Sequence, residues 1–549
     1  MPRSARRIKT THESAPALDQ PTEVTPSAIY GEIRDFVRSH ERRRRQLPRA
    51  ALVGVIAGLV AVAFRRSLDW GDMLRDQLIH RAHGLGPAGV LIPILYAAFG
   101  GGLSVYLIRR LAPEAAGSGI PHLKAVLHRL RGMLWQRILP VKFIGGILAI
   151  GSGLTLGREG PTVQMGGAIG QMVSRWLGTT ARERRTLIAA GAGAGIAAAF
   201  NAPLAGVVFV LEEVQRDFSP GVFTAAFIAC ATADVVARLL TGQLPVFHVP
   251  VLPSPPLTAL PAFLVLGGLA GALAVAFNRA LLGSLNLFQR VRHLPPWVPG
   301  AIAGGFVGLV GWFAPEALGG GHAIVEQVLS GHMLFQNLVF FFLIRFALTM
   351  ASYGCGAPGG IFAPLLVLGA QVGLAVGEVT RWIAPRSAEH PEAYAMVGMA
   401  AYFTGIVRAP LTGIVLIVEM TGNYALMLPL LIACLTAHAV ADLLGDRPVY
   451  EALLERDLLR SQDRPELDET LLVDLTLQPG APFEGCLVRE LGLPPGCVLV
   501  TLRRGPHEEV PTADTRLQAG DQLTAVVSPA AARGVIRLRE GLEPAHHSG

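Results

Sequence analysis

Long apolar stretches without charge recur along the chain. Four of them cover residues 84–108, 186–211, 346–377 and 420–441. Each is long enough to cross a hydrocarbon core about 30 Å thick, which takes roughly 20 residues of helix. A strand of an outer-membrane barrel would instead alternate in polarity over about ten residues. Because lipid offers the backbone no hydrogen-bond partners, the pattern predicts helices and an all-α polytopic membrane protein.

Composition supports this prediction and argues against a soluble enzyme. Of the 549 residues, 51% are hydrophobic and 16% are charged, and the mean hydropathy is +0.45. Soluble domains carry about 25% charged residues. The five cysteines are scattered without CxxC spacing, so the sequence predicts neither a disulfide framework nor a metal site, and no cofactor.

Three regions follow one another along the chain. Residues 1–48 are predicted to form a basic, disordered arm, residues 49–460 the membrane region, and residues 465–540 a small soluble α+β domain. The arginines at 42–45 directly precede the first apolar run, which places the N-terminus in the cytoplasm by the positive-inside rule. The C-terminus is expected in the cytoplasm as well. These arginines flank a membrane helix, so nucleic acid is not an expected partner.

The membrane region repeats itself. Three patterns recur in the same order at offsets of 202, 203 and 207 residues, namely 116–127 with 318–329, 157–161 with 360–364, and 202–212 with 409–419. Paired glycine and proline interruptions in two halves are typical of transporters whose site lies between the repeats. The pattern predicts repeats at about 50–240 and 255–450. Hydropathy alone leaves their relative direction, parallel or inverted, open.

Three glycine loops in these repeats can bind an anion. They are 117–121 (Gly-Ser-Gly-Ile-Pro), 157–161 (Gly-Arg-Glu-Gly-Pro) and 359–364 (Gly-Gly-Ile-Phe-Ala-Pro). Each places glycine before a proline that suits the first turn of a helix. A helix N-terminus presents free N–H groups and a partial positive charge, and Ser118 adds a hydroxyl donor. The alternative is that each loop is a helix break used for packing, and the shared repeat register favours the anion.

Glu159 is the most informative residue of the second loop. A carboxylate at membrane depth costs ~3 kcal/mol on insertion scales and is functional by default. Its ionised form could occupy an anion site at the helix N-terminus, and its protonated form would release that site. Competition would then link proton binding to anion binding. The alternative is a local pair with Arg158, which is disfavoured because adjacent helical residues do not face each other.

Other polar residues have plainer interpretations. Glu212 and Glu213 follow an apolar run, and such pairs commonly end a helix at the water interface. Tyr450 is read as an interfacial aromatic. Arg345, inside an apolar stretch, is either a structural partner or a snorkelling side chain. Residues 193–198 match GxGxxA, but no strand surrounds them, so a nucleotide site is not expected. Gly191, Gly195 and Ala199, at four-residue spacing, indicate a helix-packing face instead.

The three loops together resemble those of the CLC family of chloride channels and proton-coupled chloride transporters. The similarity covers about 50–460, and its filter-loop residues are Gly117, Pro121, Gly157, Arg158, Gly160, Pro161, Gly360 and Pro364. It implies a CLC-type fold of two inverted repeats with tilted, broken helices. It also implies a homodimer in the inner membrane, with a separate anion pathway in each subunit.

The resemblance assigns roles to individual residues. The anion-binding positions it implies are Ser118, Gly119, Ile120, Ile361, Phe362 and Tyr450. Glu159 resembles the gating glutamate, and Glu213 resembles the internal glutamate that passes protons from the cytoplasm, which reverses its interfacial interpretation. An acid at 213 favours a chloride/proton antiporter, and the alternative is a passive or ligand-gated chloride channel. Ser118 resembles the chloride-preferring version of the filter. His122 departs from the acidic or amide residue of bacterial relatives and is expected to face the surface.

The C-terminal region resembles the TrkA C-terminal module of potassium-transport regulators. The pattern lies in residues 483–491, 498–504 and 510–523, and the similarity covers about 465–535. It implies a small, dimeric, βαβ-type regulatory domain. Without a glycine fingerprint for nucleotides, two roles stay open: binding of an unknown small ligand, and dimerisation alone.

Overall fold

The fold is predominantly helical. The computed structural model describes residues 26–243, 246–247, 249, 252–291, 293–331, 333, 335–460, 471–493, 495–505, 507–528, 531, 538 and 541–542. The chain divides into two units, residues 1–46 and 47–549. Within the described residues, seven helical segments have the length and the hydropathy needed to cross a membrane. The predicted polytopic, all-α membrane architecture is therefore confirmed.

Seventeen α-helices lie in the described residues. They are α1 Pro26–His83, α2 Leu91–Leu111, α3 Ile120–Leu127, α4 Trp135–Gly151, α5 Glu159–Trp176, α6 Ala181–Phe200, α7 Pro203–Phe209, α8 Pro220–Thr241, α9 Leu260–Arg290, α10 Val298–Phe313, α11 His322–Leu329, α12 Phe335–Gly354, α13 Phe362–Ile383, α14 Pro391–Val407, α15 Pro410–Thr421, α16 Met427–Leu443 and α17 Val449–Arg460. A π-helical turn, Val210–Val214, follows α7.

The N-terminal arm differs from its prediction where the structure describes it. From Pro26 the chain is helical as part of α1, although the sequence predicts disorder over residues 1–48. Glutamate, glutamine and arginine are good helix formers, and here they run directly into the apolar stretch. Residues 1–25 lie outside the described residues.

Two of the four charge-free stretches are broken in their interior, and stretch 420–441 has a further break near its start, between α15 and α16. Stretch 186–211 is interrupted between α6 and α7, where Asn201 is left-handed with φ of 52° and Pro203 begins the next helix. Stretch 346–377 is interrupted between α12 and α13, where Gly356 is left-handed with φ of 85°. Hydropathy does not detect these breaks because the residues that make them are small or apolar.

The repeat is visible in the order of the helices. Helices α3, α5 and α7 have counterparts in α11, α13 and α15 at the offsets read from the sequence. The two halves also cap each other's helices. Glu212 accepts the N–H of Thr412 at the start of α15 (2.7 Å), and Glu419 in α15 accepts the N–H of Ala205 in α7 (2.8 Å). Glu212 is thus a helix cap shared between the repeats.

Close glycine packing fixes helix α5. A Cβ atom at Gly191 or Gly195 of α6 would overlap the carbonyl oxygens of Gly166 and Thr162 in α5. Small residues at four-residue spacing allow this approach. The helix-packing interpretation of Gly191 and Gly195 is confirmed, and the helix that begins with Glu159 is held against α6 over residues 162–166.

The C-terminal region forms a four-stranded sheet. Strands β1 Leu471–Thr476, β2 Cys497–Arg504, β3 His507–Glu509 and β4 Gln522–Val527 lie in the order β1-β4-β2-β3. Every pair among these described strands is antiparallel. The βαβ-type expectation is therefore wrong for this part, because a βαβ unit needs a parallel pair. Between β1 and β2, glycines and prolines leave room for only a short 3₁₀ turn among the described residues, Val488–Glu490.

A buried carboxylate organises this sheet. Asp521 is fully buried and accepts two hydrogen bonds from Arg504 (2.7 Å each) and one from the N–H of Gln518 (2.8 Å). Burial alone would raise the pKa of Asp521, but these hydrogen bonds and the guanidinium charge hold that pKa below its usual range. The ionised form is therefore the one that the fold stabilises.

Replacing Asp521 should loosen the sheet. We expect Asp521→Asn to lower the local unfolding free energy of β2 and β4 by about 1–3 kcal/mol, because a hydrogen-bonded buried charge is lost. In the unaltered chain the same contribution is present at neutral pH and declines as the pH falls below about 4, through the depressed pKa. Amide hydrogen exchange of the full-length protein measures both effects. Glu508→Gln, on the exposed strand β3, is the matched control, and equal loss of protection in the two variants would contradict the assignment.

Candidate anion and proton site

The three glycine loops meet through backbone hydrogen bonds. The N–H of Gly157 donates to the carbonyl of Gly360, and the N–H of Gly360 donates to the carbonyl of Gly157, both at 2.7 Å. The N–H of Gly359 donates to the carbonyl of Gly117 at 3.0 Å. Loops that lie roughly 40 and 200 residues apart along the chain thus form one bonded unit, as the site between two repeats requires.

Gly160 marks the point where all three loops touch. A Cβ atom there would lie 2.9 Å from the Cα atoms of both Ser118 and Gly360. No larger residue fits without moving a backbone. In the first loop, Gly117 and Gly119 have φ values of 60° and 80°, in the left-handed region that favours glycine.

A buried lysine holds the first loop in place. Lys142 of α4 is fully buried, and its Nζ donates to the carbonyls of Ala115 (2.8 Å) and Gly117 (2.6 Å). The bond to Ala115 satisfies a carbonyl in an apolar environment, and the bond to Gly117 adds a second donor to the carbonyl that already accepts the N–H of Gly359.

Arg345 does the same for the second repeat. It is fully buried in α12, and its guanidinium donates to the carbonyls of Ala317 (3.0 Å) and Gly319 (2.8 Å), in the loop before α11. Its position lies 203 residues after Lys142, in repeat register. Arg345 is therefore a structural partner of backbone carbonyls, and the snorkelling alternative is wrong.

The predicted anion-binding groups lie around the converged loops. Ser118 is buried, and its hydroxyl oxygen lies 3.4 Å from the N–H of Ile120, which donates to it. Ile361 precedes α13, and Phe362 begins it. The ring of Tyr450 stacks 6.4 Å from that of Phe362, and its hydroxyl is buried without a hydrogen-bond partner among the described residues. Gly119 and Ile120 begin α3.

Tyr353 joins this group, and sequence reasoning missed it. Its ring lies against Gly117, its hydroxyl faces Ser118, and it neighbours the hydroxyl of Tyr450. Nothing in the sequence distinguishes Tyr353 from a tyrosine that packs at the end of an apolar helix.

Glu159 lies at the N-terminus of α5, fully buried. No side chain in the described part of the chain hydrogen-bonds the carboxylate, which instead faces the backbone N–H of Ala363 in α13 and the backbone of Gly157. Arg158 does not pair with it, because the guanidinium donates to the carbonyl of Ala199 at 3.2 Å. The local-pair alternative is therefore wrong. A buried carboxylate that faces only backbone N–H groups, beside the Gly157–Gly360 bridge, can exchange with another anion or bind a proton.

Glu213 lies in the π-helical turn after α7 and is also buried. Its Oε1 accepts a hydrogen bond from Nζ of Lys124 at 2.7 Å, and both side chains are withdrawn from solvent. The interfacial interpretation of Glu213 is thus wrong. Sequence reasoning missed Lys124, which carries no spacing signal that links it to a residue 89 positions later.

His122 lies inside the protein. Its exposed fraction is 6%, and its Nδ1 lies 3.3 Å from Nε2 of Gln164 in α5. The expectation of a surface-facing imidazole is wrong because α3 is covered along nearly its whole length. Gln164 also donates to the carbonyl of Glu114, so it ties α5 to the segment before the first loop.

Comparison with known proteins adds the family. A model described as voltage gated chloride channel matches residues 100–442, and a TrkA-C domain model matches residues 472–538. The H(+)/Cl(-) exchange transporter ClcA of Vibrio parahaemolyticus is 43% identical over 434 residues, which is 76% of this chain and 91% of that protein. The protein of the same name from Salmonella arizonae is 40% identical over 438 residues, 78% of this chain and 92% of its own.

A solved structure agrees with these sequences. The crystal structure of a slow cyanobacterial Cl⁻/H⁺ antiporter is 38% identical and superposes with a TM-score of 0.73, covering 76% of this chain and 99% of that chain. The CLC-type fold expected from the loops is thus confirmed. The chain belongs to the voltage gated chloride channel family and carries a TrkA-C domain after its membrane region.

Proposed function

We propose that this protein is a chloride/proton antiporter of the inner membrane. The observation that carries the proposal is the fully buried carboxylate of Glu159, which has no side-chain partner among the described residues and faces backbone N–H groups at the junction of three glycine loops. The relatives named as H(+)/Cl(-) exchange transporters, at 40–43% identity over most of their length, support exchange over passive conduction.

Chloride binds to neutral donors. The hydroxyls of Ser118 and Tyr450 and the N–H groups of Ile361 and Phe362 surround it, with the α3 terminus at Gly119 and Ile120 behind them. Helix N-termini supply partial positive charge, so the anion is stabilised without a fixed cation that would hold it too tightly.

Protons and chloride compete through Glu159. When ionised, its carboxylate takes the place of an anion beside Gly157. When protonated, it loses its charge, and the site passes to chloride. Glu213 accepts protons from the cytoplasmic side and supplies them toward Glu159, so one turnover moves the two ions in opposite directions.

The assembly and orientation complete the proposal. The protein is a homodimer with a separate anion pathway in each subunit, and the arginines at 42–45 keep the N-terminus in the cytoplasm. The TrkA-C domain lies in the cytoplasm and regulates transport. It does so either by binding an unknown small ligand or by dimerising.

Proton movement in liposomes tests the function itself. Purified protein is reconstituted, a chloride gradient is imposed, and the membrane potential is clamped. Exchange predicts uphill proton flux driven by chloride. Chloride flux without proton movement would instead identify a channel.

Removing the Glu159 carboxylate should separate the two fluxes. We expect Glu159→Ala to abolish chloride-driven proton transport while chloride flux persists, because the competing group is gone. Parallel chloride-electrode and pH-electrode recordings measure this. Glu114→Ala, which removes an acid that lies outside the loop junction, is the matched control. Coupled transport in Glu159→Ala would reject the assigned role.

Replacing Glu213 should stop proton transport, as replacing Glu159 does, but should leave the competition between chloride and the Glu159 carboxylate in place. Glu213→Gln is expected to abolish proton transport as well, yet to leave the anion loops intact, so chloride still competes with the Glu159 carboxylate. Chloride binding measured by calorimetry should therefore stay within about twofold of the unaltered protein, a difference of roughly 0.4 kcal/mol. An unchanged proton flux would return Glu213 to a structural role.

Ser118 should set anion preference. We expect Ser118→Pro to improve proton coupling with nitrate relative to chloride, because the hydroxyl donor to the central anion is lost. The proton-to-anion flux ratio, recorded once in chloride and once in nitrate, is the measurement. If the proton-to-anion flux ratios in chloride and in nitrate are the same before and after the substitution, Ser118 does not contact the anion.

A further inference from the structure

The pair between Lys124 and Glu213 has a chemical consequence for proton uptake. Nζ of Lys124 donates to Oε1 of Glu213 at 2.7 Å, and the exposed fractions of the two side chains are 3% and 1%. Oε2 of Glu213 has no hydrogen-bond partner in the described part of the chain. An incoming proton therefore meets one free carboxylate oxygen and one that already accepts a hydrogen bond from an ammonium group.

The other charges around Glu213 are engaged elsewhere. Arg216, on the same turn, forms an ion pair with Glu451 of α17. Among the described residues, the charged side chains that face Glu213 are Lys124, Arg216 and Glu451. The hydroxyl of Tyr450, on α17, also lies near Glu213. His128, at the end of α3, faces Lys124 and Arg216. Within the described residues, Lys124 donates to Glu213 alone.

We propose that Lys124 is a positioning residue that holds Glu213 ionised and so sets the cytoplasmic pH at which the protein takes up a proton. This inference rests on the antiport function proposed above. A neighbouring cation stabilises a carboxylate, whereas burial without a partner stabilises the neutral acid. When the proton binds Oε2, the carboxyl becomes neutral and the ammonium of Lys124 is left as an uncompensated buried charge. Lys124 thus makes the protonation of Glu213 less favourable in free energy. The incoming proton stays on Oε2, and Lys124 keeps its own protons.

The location of Lys124 also matters. It lies on α3, four residues after Ile120, whose helix begins at the anion-binding loop. The same short helix therefore presents its N-terminus to the anion and its lysine to the proton acceptor. Sequence alone does not reveal this, because Lys124 and Glu213 lie in different segments of the first repeat.

The test compares Lys124→Met with Lys124→Arg in the full-length protein. Infrared difference spectra against Glu213→Gln report the protonated carboxyl of Glu213 directly. We expect its protonation midpoint in Lys124→Met to move up by roughly one to three pH units, the size of effect that an adjacent cation has on a carboxylate. Proton flux in liposomes should extend to correspondingly higher internal pH. Lys124→Arg retains the cation and should restore the original profile.

A purely structural role predicts another pattern. If Lys124→Met reduces chloride and proton flux together while the midpoint stays in place, the proposal is overturned. Adding Glu213→Gln to Lys124→Met should remove the pH-dependent carboxyl band that shifted in Lys124→Met, because that band belongs to Glu213. Should Lys124→Met fail to fold, the unaltered protein still decides, because a protonated Glu213 band at neutral pH would contradict an ion pair there. Failure of the unaltered protein to move protons uphill would reject the antiport function separately.

Discussion

The structure depends on one pair of backbone hydrogen bonds, between Gly157 and Gly360. A helix that stops inside a membrane exposes N–H and C=O groups, each of which costs several kcal/mol in hydrocarbon if it stays unpaired. The two bonds remove two donors and two acceptors at once, one of each from either repeat. Each break is therefore stable only when the other is present, and the junction is a property of the folded pair of repeats.

The other backbone carbonyl and N–H groups at the loops have different partners. Buried cations take the carbonyl oxygens, with Lys142 in the first repeat and Arg345 in the second. This leaves the N–H ends of α3, α5 and α13 to act as donors at the junction. Lys142 and Arg345 are thus used for structure, and in the proposed function the anion meets dipoles and hydroxyls. A fixed lysine at the junction would bind chloride more strongly, but it would also pair with Glu159 and remove the competition.

How much the sequence predicts follows from the range of the interactions. The loops, the repeat offsets and Glu159 are readable because each leaves a local pattern of glycine, proline or charge. The Lys124–Glu213 pair, the burial of His122 and the role of Tyr353 depend on contacts between distant segments, for which a single sequence carries no signal. Arg345 is an intermediate case, since its register with Lys142 was available in the repeat. The antiparallel sheet was missed because short β-like runs do not specify strand order.

The two buried carboxylates illustrate opposite solutions to the same desolvation problem. Glu159 has no side-chain hydrogen-bond partner among the described residues and faces only backbone N–H groups, so no ion pair has to break before it moves or is protonated. Glu213 is held by Lys124, so its position is fixed and its charge is stabilised. A side chain that must move out of an anion site is best left without a strong side-chain partner, because a buried ion pair would hold it in one place. A group that must receive protons at a defined place benefits from a partner that fixes its geometry. The arrangement of one free and one held acid is what a chain that passes protons from Glu213 toward Glu159 requires.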